Sequence, residues 1–156
     1  MTTIRRLLVP TDGSEGALRA AAVAGDFARA LDAHVLILLV LGDELVMPHA
    51  WGPGDYPANA PWGKLSIEQV RADIERQAWE KALPDTIAAL GELDQSPDIS
   101  IVWGRPAAEI ARHAKEQAVD LIVIGSHGRT GLKRALLGSV SHAVANDAPC
   151  PVTIVR

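Results

Sequence analysis

Residues 120–139 read DLIVIGSHGRTGLKRALLGS. The apolar run LIVI at 121–124 opens directly onto glycines at 125, 128, 131 and 138, with Arg129, Lys133 and Arg134 among them. A short apolar run closed by glycine predicts a buried strand over 120–124. Glycine loses more backbone entropy on folding than any other residue. Such density therefore predicts either special backbone angles or something packed against the main chain. The following SVSHAVAN predicts a helix from Ser139 to Asn146.

The same order, strand then helix, runs outward through the chain. IRRLLVP (4–10) predicts a first strand stopped by the turn Thr11-Asp12-Gly13. Ser14 can then accept a first-turn backbone N–H and cap a helix whose small apolar face is Ala17, Ala20, Ala21, Ala24, Ala28 and Leu31. HVLILLVL (34–41) is apolar throughout, the pattern of a central parallel strand covered on both faces. ISIVW (99–103) predicts a third strand, closed by Gly104-Arg105-Pro106. Pro106 suits a first helical turn, and Ala107, Ile110, Ala111 and Ala114 form that helix's apolar face. PVTIVR closes the chain as a fifth strand.

Alternating strands and helices predict the α/β class, with an open, doubly wound sheet of five parallel strands and helices on both faces. No repeat or linker divides residues 1–156, so a single domain is expected. An irregular insertion spans about 42–65. Its densest part, 48–63, holds four prolines, three glycines and two tryptophans, Trp51 and Trp62. A second helix is expected after Ser66, with Ile67, Val70, Ile74 and Ala78 on one face; Pro84 should end or kink it. Packing is the expected role of all four tryptophans, Trp79 and Trp103 included.

Composition narrows the function classes. The 156 residues are 48% hydrophobic and 22% charged with a formal net charge of −4, which argues against a general nucleic-acid binder. The one cysteine, Cys150, lies between Pro149 and Pro151 and cannot make an internal disulfide or a cysteine zinc site. The expected role is a small apolar side chain in a reducing compartment. The opening MTTIRRLLVPTD meets Pro10 and Asp12 too early for a signal peptide, and no apolar run nears the roughly 18 residues that span a bilayer. A soluble cytoplasmic protein without a membrane partner is expected.

In open α/β sheets, ligands bind beyond the carboxyl ends of strands where strand order reverses. If strands one and four are neighbours, the Thr11-Asp12-Gly13 turn and the glycine loop face one crevice. Gly125 and Gly128 would turn the backbone tightly and present N–H groups. Gly138-Ser139 falls where a helix begins, a natural seat for phosphate oxygens. Arg129 adds a fixed charge with planar donors, and the Ser139 hydroxyl can reach a phosphate or a magnesium-bound water. These features predict a polyphosphate cradle. Spacing alone would serve a glycine-rich surface turn equally well. Neither GxxxxGK[ST] nor GxGxxG is present.

Gly125, Gly128 and Gly138-Ser139 fit G-x2-G-x9-G-[ST] without a gap. With VPTDGSE (9–15), Gly104-Arg105-Pro106, VIGSHGRTGLKRALLGSVS (123–141) and APCPVTIVR (148–156), the whole chain resembles the ATP-binding branch of the universal stress protein family. The resemblance implies an adenine-nucleotide alpha-hydrolase-like sheet of order 3-2-1-4-5. It also implies ATP as ligand, with Mg2+ held mainly by its phosphates and assisted by Asp12 or Ser139. Pro10, Thr11 and Asp12 would meet adenine and ribose, and the main chain of Val40 would bond adenine. Gly125, Gly128, Arg129, Gly138, Ser139 and Val140 would surround the phosphates, with Ile124 and Ser141 at the edge. A homodimer through the final strand, 152–156, follows from the same resemblance and from the edge such a strand exposes. The insertion at 48–63 is longer than the family pattern.

Three function classes result. The first is an ATP-binding regulatory or stress-response protein, with a further protein partner that residues do not identify. The second is a slow Mg-dependent ATPase in which Asp12 or His127 orients water and Arg129 stabilises charge. The third is a nucleotide-free dimeric interaction module. No paired carboxylates accompany His127, and the other histidines show no metal-ligand spacing, so the first class is favoured.

Overall fold

Alternate residues of the central strands enter two separate cores in the computed structural model, which describes residues 3–42, 67–128 and 137–156. Leu7 and Val9 of β1 (Arg6–Thr11) join Val35, Ile37 and Leu39 of β2 (His34–Leu41) and Val123 of β4 (Leu121–Gly125) on one face. Leu8, Leu36, Leu38, Ile122 and Ile124 enter the other. This period of two on both faces is why the strands read as unbroken apolar runs. With β3 (Asp98–Trp103) and β5 (Val152–Val155), the sheet is parallel throughout in the order β3-β2-β1-β4-β5. That is the order the family resemblance implies.

Helices cover both faces. α1 (Glu15–Leu31) and α3 (Leu83–Leu90) enclose the first core, and α4 (Pro106–Glu116) and α5 (Ser139–Asp147) the second. Ser14 caps α1 as expected, accepting the Ala17 N–H at 3.3 Å. The alanine face of α1 lies flat on the sheet: Ala20, Ala21 and Ala24 are fully buried.

Several elements differ from their sequence boundaries. β1 runs to Thr11, so this residue ends the strand and does not begin the turn. β4 runs to Gly125, which pairs with Val155 and is the last strand residue, not the first of a loop. Pro84 does not end the helical stretch. α2 (Ile67–Gln77) passes into a π-helical turn (Ala78–Ala82), in which the Leu83 N–H reaches the Ala78 carbonyl, and then into α3. Proline cannot donate and crowds the carbonyl four residues back; widening the turn just before it accommodates both effects. Trp103 is part-buried, with the Arg71 guanidinium 4.8 Å from its ring centroid and its Nε1 donating to Glu75. Trp79, in the π turn, is 51% exposed and is not core packing. Trp51, Trp62 and the expected insertion from residue 43 onward lie outside the described residues.

The sheet divides where strand order reverses. β1 and β4 are in register at Leu7↔Leu121 and Leu8↔Ile122, after which Val123, Ile124 and Gly125 pair with β5. Pro10, two residues further along β1, has no N–H to continue a ladder. The β1–β4 ladder therefore stops short of the carboxyl ends of the two strands, the place where a crevice is expected in this class of sheet.

Two titrating groups on the α4–α5 side bear on stability. Burial and the nearby Cys150–Asp120 charge interaction push the Cys150 thiol up, which disfavours a reactive thiolate. Burial, reinforced by Arg112 and partly opposed by Glu116 and Glu109, holds His113 below the ordinary histidine range. The unfolded chain then binds the proton more readily than the folded one. The His113 contribution is complete above about pH 6.5 and declines as pH falls from there towards its folded-state pKa. The loss of melting temperature between pH 7 and pH 5 should accordingly be smaller in His113→Gln than in wild type. Equal losses would show that His113 stays proton-neutral to stability.

Candidate functional site

Three pieces of backbone meet at the crevice, and short contacts define how. The Asp12-Gly13 turn is held by Asp12 Oδ1, which accepts the Ser14 N–H at 3.0 Å. The other carboxylate oxygen faces Gly128: a Cβ added there would lie 2.7 Å from Asp12 Oδ2. The third piece is the start of α5. The Gly138 N–H donates to the Ser126 carbonyl at 2.7 Å, and the Ser141 hydroxyl donates to the same oxygen at 2.9 Å. Two donors on one carbonyl pin the beginning of α5 to the end of β4.

The motif glycines answer the question that their density raises. Neither Gly125, Gly128 nor Gly138 has a positive φ; among the described glycines Gly13, Gly91 and Gly104 do. Close approach is the operative requirement. A Cβ at Gly125 would meet the Gly16 backbone at 2.7 Å, so β4 and the first turn of α1 touch main chain to main chain. A Cβ at Gly138 would lie 3.0 Å from the Ser126 oxygen and 3.5 Å from His127 Cα. The spacing thus brings loop to loop and leaves bare backbone at Gly128 and Gly138.

The expected site residues divide into a rim and a support. Asp12, Val40, Gly138 and Val140 are part-exposed, and Gly128 and Ser139 are exposed. Pro10, Thr11, Ile124, Gly125 and Ser141 are buried. The Ser141 hydroxyl is taken up by the Ser126 and Gly138 carbonyls. The Thr11 hydroxyl points into the core, 2.9 Å from that of Thr86. Val40, near the carboxyl end of β2, is in register with Val102 of β3. His127 Nδ1 lies 3.0 Å from the Ser126 hydroxyl. Arg129, with Gly131, Lys133 and Arg134, falls outside the described residues.

Beside the Asp12 carboxylate, the electrostatics of the rim come from backbone. The N-cap of α5 is Gly138, which has no side chain to accept from the first-turn N–H groups, and the first i→i−4 bond is His142 N–H to the Gly138 carbonyl. No acidic residue occupies that first turn. Free N–H groups and the positive end of the helix dipole make it a seat for an anion. Among the described residues, no three His, Cys, Asp or Glu side chains gather as a metal site. The donor set present suits a cation carried in by phosphates, with the Asp12 carboxylate or Ser139 hydroxyl beside it.

Sequence reasoning missed Ser126, Gly16 and Thr86. Ser126 acts through its carbonyl, which no residue type advertises. Gly16 matters because a Cβ there would lie 2.6 Å from the His127 carbonyl oxygen. Thr86 had a legible signal: it is the polar member of the buried stripe Leu83, Thr86, Leu90 on α3. A cavity of about 480 Å³ lies elsewhere, at the opposite end of the strands, lined among others by Arg5, Arg29, Asp32, His34 and Asp94. Its charges are of both signs. Arg29 is committed to the Leu90 and Glu92 carbonyls and His34 to Asp98, so it offers no comparable ligand chemistry.

Known proteins share this architecture. The universal stress protein YxiE of Bacillus subtilis is 35% identical over 151 residues, covering 97% of this chain and 98% of its own. The structure of the hypothetical protein MJ0577 superposes with a TM-score of 0.78 at 27% identity, over 99% of this chain and 96% of that one. A universal stress protein crystallised in complex with cAMP superposes with a TM-score of 0.60 at 28% identity, over 99% and 98% of the two chains. Among the described residues no helix is long and apolar enough to cross a membrane. The model of the universal stress protein family matches residues 3–156, and with the fold and these relatives it establishes that the chain belongs to that family.

Proposed function

We propose that this chain is a cytoplasmic regulatory protein that binds ATP, with Mg2+ on its phosphates, in the crevice between β1 and β4. The observation that carries the reading is the meeting of Asp12, Gly128 and the side-chain-free N-cap of α5 at the point where strand order reverses. A nucleotide lying across that point would set its phosphates on the α5 N–H groups and its ribose near Asp12, with adenine towards Val40. The family member solved with cAMP supports an adenine nucleotide as the ligand class. Arg129 is assigned to the distal phosphates on its place in the motif.

Binding is favoured over efficient turnover. Asp12 Oδ1 accepts the Ser14 N–H and His127 Nδ1 lies against the Ser126 hydroxyl, so both candidates for orienting water already have a partner beside them in the chain. The reading extends to a homodimer paired through β5, an edge strand whose four residues are all part-exposed.

Mass spectrometry of small molecules released on denaturing freshly purified protein should identify an adenine nucleotide, and sedimentation of the same preparation should give a dimer. In calorimetric titration, Arg129→Ala should weaken ATP by about 1.5–3 kcal/mol and AMP far less. Equal losses for both nucleotides would move Arg129 away from the distal phosphates. A wild-type protein that binds neither would leave the interaction-module class in its place.

A further inference from the structure

We infer that Thr86, on a helix outside the crevice, is a positioning residue that sets the Asp12 turn through a one-directional chain of hydrogen bonds. The inference concerns the same site and rests on the nucleotide reading for its binding consequence, though not for its geometry. Thr86 is fully buried and Thr11 is 6% exposed, so neither hydroxyl has water as an easy substitute. The Thr86 hydroxyl donates to the Ala82 carbonyl at 2.7 Å. A hydroxyl has one proton, so in its 2.9 Å contact with Thr11 the Thr86 oxygen accepts and Thr11 donates. The Thr11 oxygen in turn accepts the Gly13 N–H at 3.2 Å. The chain therefore runs from Gly13 N–H to Thr11, from Thr11 to Thr86, and from Thr86 to Ala82, every proton pointing one way. Bonds so aligned polarise and strengthen one another in a low-dielectric interior.

This chain begins in the crevice turn and ends in the π-helical turn Ala78–Ala82. A second contact ties the same two pieces: Gly13 has φ +74° and sits so close to Ala82 that a Cβ would lie 3.0 Å from the Ala82 Cβ. Asp12 is thus flanked by two residues that are both anchored to the helical segment. π-helical turns recur at functional sites, and here the turn supplies the terminal acceptor. Thr86 touches no part of the crevice; its effect passes through Thr11 and Gly13 to the Asp12 backbone.

Thr86→Val keeps the shape and removes the link, whereas Thr86→Ser keeps the hydroxyl. In amide hydrogen exchange read by NMR on the nucleotide-free protein, Gly13 should lose protection about fivefold in Thr86→Val, the size of one hydrogen bond, and regain it in Thr86→Ser. ATP affinity should fall by a similar factor in Thr86→Val, and adding Thr86→Val to a Thr11→Val protein should produce little further loss. Unchanged Gly13 exchange in a folded Thr86→Val protein would overturn the inference. Should Thr86→Val fail to fold, Thr86→Ala removes the same hydroxyl with less bulk and decides it by the same readout. Absence of ATP binding in wild type would remove the proposed function while Gly13 exchange still decides whether Thr86 holds the turn.

Discussion

Gly138→Val is expected to lower ATP affinity at least a hundredfold, about 2.7 kcal/mol, in calorimetric titration. Its first added carbon would lie 3.0 Å from the Ser126 oxygen, and the two further methyls enter the space beside the α5 N–H groups where phosphate is proposed to sit. Stability should fall too, by about 1–3 kcal/mol, because the Gly138 N–H to Ser126 bond must shift to relieve the contact. Gly138→Ser separates the two effects. Serine at an N-cap accepts a first-turn N–H, the same donors that phosphate would use, while its Cβ is no larger than that of Gly138→Ala. Gly138→Ser should bind ATP more weakly than Gly138→Ala at equal or greater thermal stability. Equal affinities would remove the α5 N-terminus from the phosphate site, and wild-type affinity in Gly138→Val would remove the contact altogether.

Gly25→Ala is expected to destabilise the fold by about 1–3 kcal/mol in urea, although alanine is the better helix former. The gain in helix propensity is about 1 kcal/mol. Against it stands a Cβ placed 2.0 Å from the Leu90 carbonyl oxygen and 2.8 Å from its carbon, far inside contact distance and against backbone. The carbonyl has little freedom to yield, since Leu90 is 1% exposed and its oxygen accepts from Arg29 at 2.8 Å. The repulsion should win. An unchanged or raised urea midpoint would mean that α1 and α3 separate at little expense. Since α3 carries Thr86, the same variant should also loosen Gly13.

The residue pattern made the frame of this protein legible because the frame is built from local rules. His34–Leu41 is covered on both faces, and continuous apolarity follows directly from that. Ser14, the alanine stripe of α1 and Pro106 at the start of α4 each act within one turn of themselves. The glycine spacing pointed to close packing against the main chain without naming the partner: Gly125 is a strand residue pressed against Gly16, far away in sequence. The Thr11–Thr86 contact joins residues 75 apart, and its alignment depends on how the backbone meets Pro84, which propensity does not encode. Long-range contacts between backbone atoms, such as Gly138 to Ser126, leave no mark on residue type at the acceptor.

The wide turn at Ala78–Ala82 also carries a lesson in counting. Each residue of an α-helix advances the side chains by about 100° around the axis. A relative lacking one residue between Gln77 and Leu83 would preserve the composition of α3 yet swing its threonine a quarter-turn and more, out of reach of Thr11. When such chains are aligned, a single gap in this stretch is therefore not neutral padding. It marks whether the far helix can still grip the turn.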